Sequence, residues 1–186
     1  VRLWDVTDRA APVPLGEPLR GFEDVAHSVG FSGDGRTLAA SSDDGVLRLF
    51  DTSDPRAPYP VGVPVRAHTG GVWSIGFLPD GRTLASASWD GTAKLWDIDP
   101  EERYLDEISP ALTGHGGGVA TLAITPDGDT VITGGQDANL RVWTMPHTRI
   151  SVVDAALTKP SVSRAGDLVA TGSYGPTVSL WRVDDA

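Results

Sequence analysis

A short strand ending in a large aromatic residue recurs along this chain. The endings are VRLWD (Val1 to Asp5), LRLFD (Leu47 to Asp51), AKLWD (Ala93 to Asp97), LRVWT (Leu140 to Thr144) and VSLWR (Val178 to Arg182). The aromatic positions Trp4, Phe50, Trp96, Trp143 and Trp181 are 46, 46, 47 and 38 residues apart. Self-similarity at such a period belongs to repeat architectures, in which each unit buries its apolar face only against its neighbours. Most notable residues therefore belong to a repeat, and the informative ones are those that break it.

The two best copies are FSGDGRTLAASSDDGVLRLF (Phe31 to Phe50) and FLPDGRTLASASWDGTAKLW (Phe77 to Trp96), identical at eleven of twenty positions. A third is ITPDGDTVITGGQDANLRVW (Ile124 to Trp143), and a fourth, VSRAGDLVATGSYGPTVSLW (Val162 to Trp181), has lost much of the pattern. Each copy reads as three short strands. In the second copy these run near Val72 to Phe77, Thr83 to Ser88 and Ala93 to Asp97. Simple alternation puts Val72, Ser74 and Gly76 on one side of the first strand and Trp73, Ile75 and Phe77 on the other. The pairs Asp34–Gly35, Asp80–Gly81 and Asp127–Gly128 supply tight turns, because Gly or Asp tolerates a positive φ. A fourth strand is expected at Pro14 to Arg20 and Pro60 to Arg66. Its prolines place it at a sheet edge, where a missing amide donor costs least. Strands of this length with turns every 8–12 residues indicate an antiparallel all-β protein.

At this point the chain resembles the WD40-repeat β-propeller family, over nearly its whole length. The resemblance implies an all-β arc of four-stranded antiparallel blades. The division expected is a leading pair of strands in residues 1–20, then repeats at about 21–66, 67–113, 114–154 and 155–186. Both ends fall on third strands, about seventeen strands in all, so the arc is expected to be an incomplete ring with apolar blade faces at its ends. Self-association through those faces is an expected consequence. The chain starts at Val1 inside a repeat, so a natural N-terminus and any targeting signal are expected upstream.

Composition removes several function classes. The net charge of −10 argues against a nucleic-acid partner, whose affinity rests on neutralising phosphates, and disfavours an anionic membrane surface. With no cysteine there is no disulfide, thiolate metal site or thiol chemistry, which fits a cytoplasmic location. No apolar run approaches the ~18 residues of a membrane span. No phosphate-binding loop occurs, the Asp-rich turns lack the closing Glu of a calcium loop, and no cofactor is implied.

Two copies carry His, a hydroxyl, Asp and Trp at matched offsets: His68, Ser86, Asp90 and Trp96, then His115, Thr133, Asp137 and Trp143. Ser, His and Asp together suggest a nucleophilic triad, but a catalytic set is not expected twice at the same offsets. In the family these positions form a structural hydrogen-bond chain, as a buried indole and imidazole require. The first copy has Phe22, Ala40 and Phe50 where His, hydroxyl and indole would be, and keeps Asp44. The fourth keeps Thr171 and Trp181 but has Val153 and Gly175. The run His115-Gly116-Gly117-Gly118 resembles an esterase oxyanion loop, yet no Gly-x-Ser-x-Gly elbow accompanies it, and it aligns with the inter-repeat turn at His68.

Subtracting the repeat leaves Trp73 and Trp89. The family resemblance puts both at one rim of the central channel. Their aligned equivalents are His27 and Asp43, Ala120 and Gln136, then Thr158 and Tyr174. An exposed indole marks a contact site, and Trp is a common interface anchor. The competing reading has the two indoles packing on each other or on a neighbouring blade. A mixed aromatic and acidic rim of His27, Asp43, Trp73, Trp89, Gln136 and Tyr174 suits a segment with an apolar or aromatic anchor beside a basic residue. The function expected is a non-enzymatic scaffold for a protein or peptide partner, in a signalling or regulatory multidomain protein of bacterial style. The alternatives are a propeller enzyme with a polar or metal site in the channel, which needs converging carboxylates or His, and a purely structural packing module.

Overall fold

The chain carries too few apolar residues per repeat to give any one sheet its own core, so the sheets must be stacked. A computed structural model describes residues 1–99, 101–108, 110–145, 150–154, 160–172 and 178–182. Its described residues form five antiparallel sheets in chain order. The first pairs β1 (Leu3–Asp5) with β2 (Val13–Leu15). The next three have four strands each: β3 (Ala26–Phe31), β4 (Thr37–Ser42), β5 (Val46–Asp51) and β6 (Tyr59–Arg66); β7 (Val72–Phe77), β8 (Thr83–Ser88), β9 (Ala93–Ile98) and β10 (Leu105–Glu107); β11 (Val119–Ile124), β12 (Thr130–Gly135), β13 (Asn139–Thr144) and β14 (Ile150–Asp154). The last joins β15 (Ser161–Val162), β16 (Leu168–Gly172) and β17 (Val178–Arg182). Strand order follows sequence order within every sheet, as hairpin connections dictate. The first strands of successive sheets meet, β3 on β7, β7 on β11 and β11 on β15, giving an unclosed arc.

Every buried cluster lies between two sheets. Ala39, Leu47 and Leu49 of the first full blade pack against Val72, Ile75, Leu84 and Trp96 of the second. Ala85, Ala87 and Leu95 of the second pack against Val119, Leu122, Val131 and Trp143 of the third. Ile132 and Leu140 then meet Val169 and Trp181. The strand-ending aromatic plugs the seam to the preceding sheet, and burying one such side chain contributes about 1.5–3 kcal/mol. Both faces of the second strands are covered, which explains their small residues: TLAASS and TLASAS are buried from their second residue on. Where the stack ends, apolar groups face solvent: Val29 and Phe31 at one end, Val178 and Leu180 at the other.

Of three expectations, the first and third are corrected and the second is met in finer detail. First, simple alternation fails in the first strands. The β7–β8 register slips between Val72 and Ser74, so Val72, Ser74 and Ile75 are all buried and Trp73 is extruded. The same slip occurs at His27 in β3 and at Ala120 in β11. A bulge leaves one residue unpaired and re-aims its side chain. Second, the Asp-Gly turns divide the labour. The positive φ is on Gly35, Gly81 and Gly128, while the Asp acts through its carboxylate: Asp34 Oδ1 accepts the Ser32 hydroxyl (2.6 Å) and the Arg36 amide (3.0 Å). Third, the outer strand expected at Pro14 to Arg20 pairs only over Val13–Leu15. Gly16 turns left-handed there, against the Arg56 carbonyl, and Pro18 has no amide to donate. The Leu19 amide rejoins the sheet at the Val1 carbonyl (2.8 Å).

Hydroxyls stitch the first strands together. Ser28 Oγ accepts the Ile75 amide (3.3 Å), and Ser74 Oγ accepts the Leu122 amide (3.2 Å). Aligning the repeats puts Pro160 where Ile75 and Leu122 stand, and proline carries no N–H. Thr121 Oγ1 is buried without a hydrogen-bond partner among the described residues. Removing a satisfied acceptor strands a buried amide, whereas removing an orphan hydroxyl strands nothing. Ser74→Ala should therefore lower unfolding free energy by about 1–3 kcal/mol, and Thr121→Val should leave it unchanged or raise it by up to about 1 kcal/mol. Urea titration checks both; equal losses in the two variants would contradict the seam assignment.

Ala138 sits at φ +62° where the aligned turns have Gly45 (φ +80°) and Gly91 (φ +88°). A left-handed conformation costs a Cβ-bearing residue about 1–2 kcal/mol, partly offset by the greater unfolded-state freedom of Gly. Ala138→Gly should stabilise the chain by roughly 0.5–1 kcal/mol, read as an increased urea midpoint.

Candidate functional site: buried chains and an exposed rim stack

In the second blade the side chains form one hydrogen-bond chain. Trp96 Nε1 donates to Ser86 Oγ (2.8 Å), which lies 2.8 Å from His68 Nε2, and His68 Nδ1 lies 3.0 Å from Asp90 Oδ2. The order assigns donors: Ser86 accepts from the indole and donates to Nε2, leaving the proton on Nδ1 to meet the carboxylate. Asp90 also accepts the Thr92 hydroxyl (2.7 Å) and the Thr69 amide (3.1 Å), tying the chain to two turns. The third blade repeats it. Trp143 Nε1 donates to Thr133 Oγ1 (2.9 Å), His115 Nε2 is 2.8 Å from the same hydroxyl, and His115 Nδ1 is 3.0 Å from Asp137 Oδ1. Arg141 adds a 2.8 Å bond to the other oxygen of Asp137. Ser86 and Thr133 are wholly buried, and each hydroxyl already accepts an indole proton, so neither can reach a substrate.

The other two blades show what happens without the full set. In the first, Phe22 and Phe50 pack at 6.3 Å with Leu38 and Ala40, Arg48 lies over the Phe22 ring, and Asp44 caps the Glu23 and Val46 amides. In the fourth, Trp181 Nε1 still donates to Thr171 Oγ1 (3.1 Å). The Val153 side chain and Gly175 lie outside the described residues.

Burial pushes His68 and His115 below the ordinary imidazole range, against the pull of Asp90 and Asp137. Burial would raise the two carboxyls, but hydrogen bonds from Thr92 with the charge attraction of His68 at Asp90, and hydrogen bonds from His115 and the Gly116 amide at Asp137, hold them below the usual range. Groups with lowered native pKa stabilise above the unfolded value, and that stability is lost as pH falls. The imidazoles act first, from about pH 6.5 downward, and the carboxyls only below about pH 4. The urea midpoint should fall between about pH 7 and pH 5.5, and His115→Gln should flatten that slope. An unchanged slope in this variant would contradict the assignment.

The rim is different in kind. The bulged His27 and Trp73 project from β3 and β7, and the residues that follow the second strands, Asp43, Trp89 and Gln136, are set by one repeated contact. Their amides donate to the carbonyls of Val25 (3.0 Å), Gly71 (2.9 Å) and Gly118 (2.8 Å). Trp89 and Trp73 stack with ring centroids 4.7 Å apart and 17° between planes. Trp73 and His27 stack across the blade seam at 4.7 Å and 21°. His27 Nε2 then pairs with Asp43 Oδ1 at 2.9 Å. The outer end of the pile rests on the third blade, where a Cβ on Gly118 would fall 2.8 Å from the Trp89 ring. Asp43 occupies the corresponding space over Gly71. Despite this packing Trp73 is 38% and Trp89 42% exposed.

Four of the six rim residues thus come together. Gln136 stands apart on the third blade, over Gly117, and Tyr174 lies outside the described residues. Two roles escaped sequence reasoning. Gly71 and Gly118 were legible only as turn residues, although they are the floor on which Asp43 and Trp89 lie. The exposed Glu23, Asp24 and Val25 replace the Thr69-Gly70-Gly71 and Gly116-Gly117-Gly118 of later copies; that departure was the available signal.

Among the described residues no cluster of three or more His, Asp or Glu is arranged to hold a metal ion, and no helix is long and apolar enough to cross a membrane. A search of curated proteins returns no match. Comparison with protein families matches the WD domain, G-beta repeat, at residues 16–51, 60–97 and 107–144, three consecutive copies that cover more than half of the chain. Stacked four-stranded sheets, paired His-hydroxyl-Trp chains and three matched repeats agree: the chain belongs to the WD40-repeat family.

Proposed function

We propose that the chain is an interaction scaffold whose contact face is the rim carrying His27, Asp43, Trp73 and Trp89. WD40 repeats generally mediate protein–protein interaction. The observation that carries the assignment to this rim is the contrast among indoles. Trp96 and Trp143 are buried and hydrogen-bonded, whereas the stacked Trp73 and Trp89 keep about two-fifths of their surface open. Large exposed aromatics held rigid by stacking lose little entropy on docking, which is why such groups anchor interfaces. Gln136 and Tyr174 are proposed to flank this contact. The setting we infer is cytoplasmic and regulatory, within a longer polypeptide of bacterial signalling type.

The apolar ends of the arc, Val29 with Phe31 and Val178 with Leu180, support a second reading, association through blade faces. The two are separable. Cross-linking with mass spectrometry on the captured partner should place contacts within the loops holding residues 23–27, 43, 73 and 89. Trp73→Ala with Trp89→Ala should weaken capture by roughly tenfold or more with the thermal midpoint little changed. Contacts mapping to the arc ends, with capture insensitive to both indoles, would overturn the rim assignment.

A further inference from the structure

The stack is asymmetric, and the asymmetry specifies what it can hold. Both faces of Trp73 are covered, one by Trp89 and one by His27, and the far face of Trp89 lies against Gly118. What these rings offer a partner is a ridge of edges. A cation cannot be taken by stacking on the Trp73 face, so any charge recognition must come from beside the rings. At the His27 end it is available. The Asp43 amide is bonded to the Val25 carbonyl, and the Glu23 amide to Asp44 Oδ2 (3.2 Å), so the loop Glu23-Asp24-Val25 lies directly beside the head of the stack. Glu23, Asp24 and Asp43 are exposed, as is Val25.

Of the cations close by, His27 is held by Asp43, and Arg48 lies over Phe22 near Asp44 with its Nε buried and no ion pair among the described residues. The carboxylates of Glu23 and Asp24 have no cationic partner among the described residues. The second and third blades have no such group, because their loops are Thr-Gly-Gly and Gly-Gly-Gly at these places. The net charge of −10 acts in the same direction at longer range.

We propose that this rim takes a basic peptide segment of a partner protein. A Lys or Arg side chain sits among Glu23, Asp24 and Asp43, and an adjacent apolar side chain lies on Val25 and the edges of Trp73 and Trp89. The inference rests on the reading of the rim as contact face. It adds the carboxylates that read the expected basic residue, Glu23 and Asp24 among them. Carboxylate pairing at a partly exposed rim sets specificity and encounter rate and is screened by salt.

The test uses degenerate nonapeptide pools with a fixed central Arg, Lys, Gln or Glu, applied to the whole chain. Arg and Lys pools should be retained roughly tenfold over Gln and Glu pools, with the preference shrinking as salt rises from about 0.05 to about 0.5 M. Glu23→Gln with Asp24→Asn should bring the preference to about threefold or less; both residues are exposed, and each replacement keeps an acceptor oxygen. Trp73→Ala should lower retention of all pools together. Equal retention of Arg and Glu pools, still dependent on Trp73, would overturn the basic-segment inference and leave the scaffold reading standing. Retention indifferent to Trp73 and to the carboxylates alike would overturn both.

Discussion

Everything in this chain depends on sheets that cannot bury themselves. Each four-stranded blade presents an apolar face that is covered only by the next, with Trp96 sealing one seam and Trp143 the following one. The small residues of the second strands follow from this, because a strand sandwiched on both sides has no room for large side chains. So do the hydroxyls of Ser28 and Ser74, which give amides at the seam a partner that the neighbouring sheet's ladder does not supply.

The buried polar chains act within that constraint. An indole wedged into a seam brings an N–H into an apolar layer, where an unpaired donor costs about 1–3 kcal/mol. Ser86 and Thr133 satisfy it, His68 and His115 satisfy them in turn, and Asp90 and Asp137 carry the chain out to the turns. The first blade solves the same problem by removing the donor: Phe22, Ala40 and Phe50 replace the whole set with apolar contact. The constellation that looks most like chemistry is thus how a tryptophan is accommodated between sheets.

The rim stack is the product of three local features that have nothing to do with one another in sequence. A bulge extrudes residues 27 and 73, a turn places residues 43 and 89, and glycines at 71 and 118 leave space for them to lie flat. Only when adjacent blades come into register do His27 of one and Trp73 of the next become a stack. The acidic loop at Glu23 and Asp24 joins it through backbone contacts, which side-chain chemistry alone does not reveal.

The repeat period and the turn residues were enough to read the all-β fold of stacked blades, and the spacing of His, hydroxyl, Asp and Trp drew attention to the residues of the buried chains. These are local or periodic properties, and a repeat writes them several times over. Sequence also singled out Trp73 and Trp89, because they break the pattern. It could not show that both faces of Trp73 are filled, that Gly118 is a floor, or that the Thr121 hydroxyl is buried without a partner among the described residues. Those facts belong to contacts between residues 16 to 46 positions apart, most of them on different blades. Their geometry is set by how far one sheet slips and turns against the next, and that is a property of the packed structure alone.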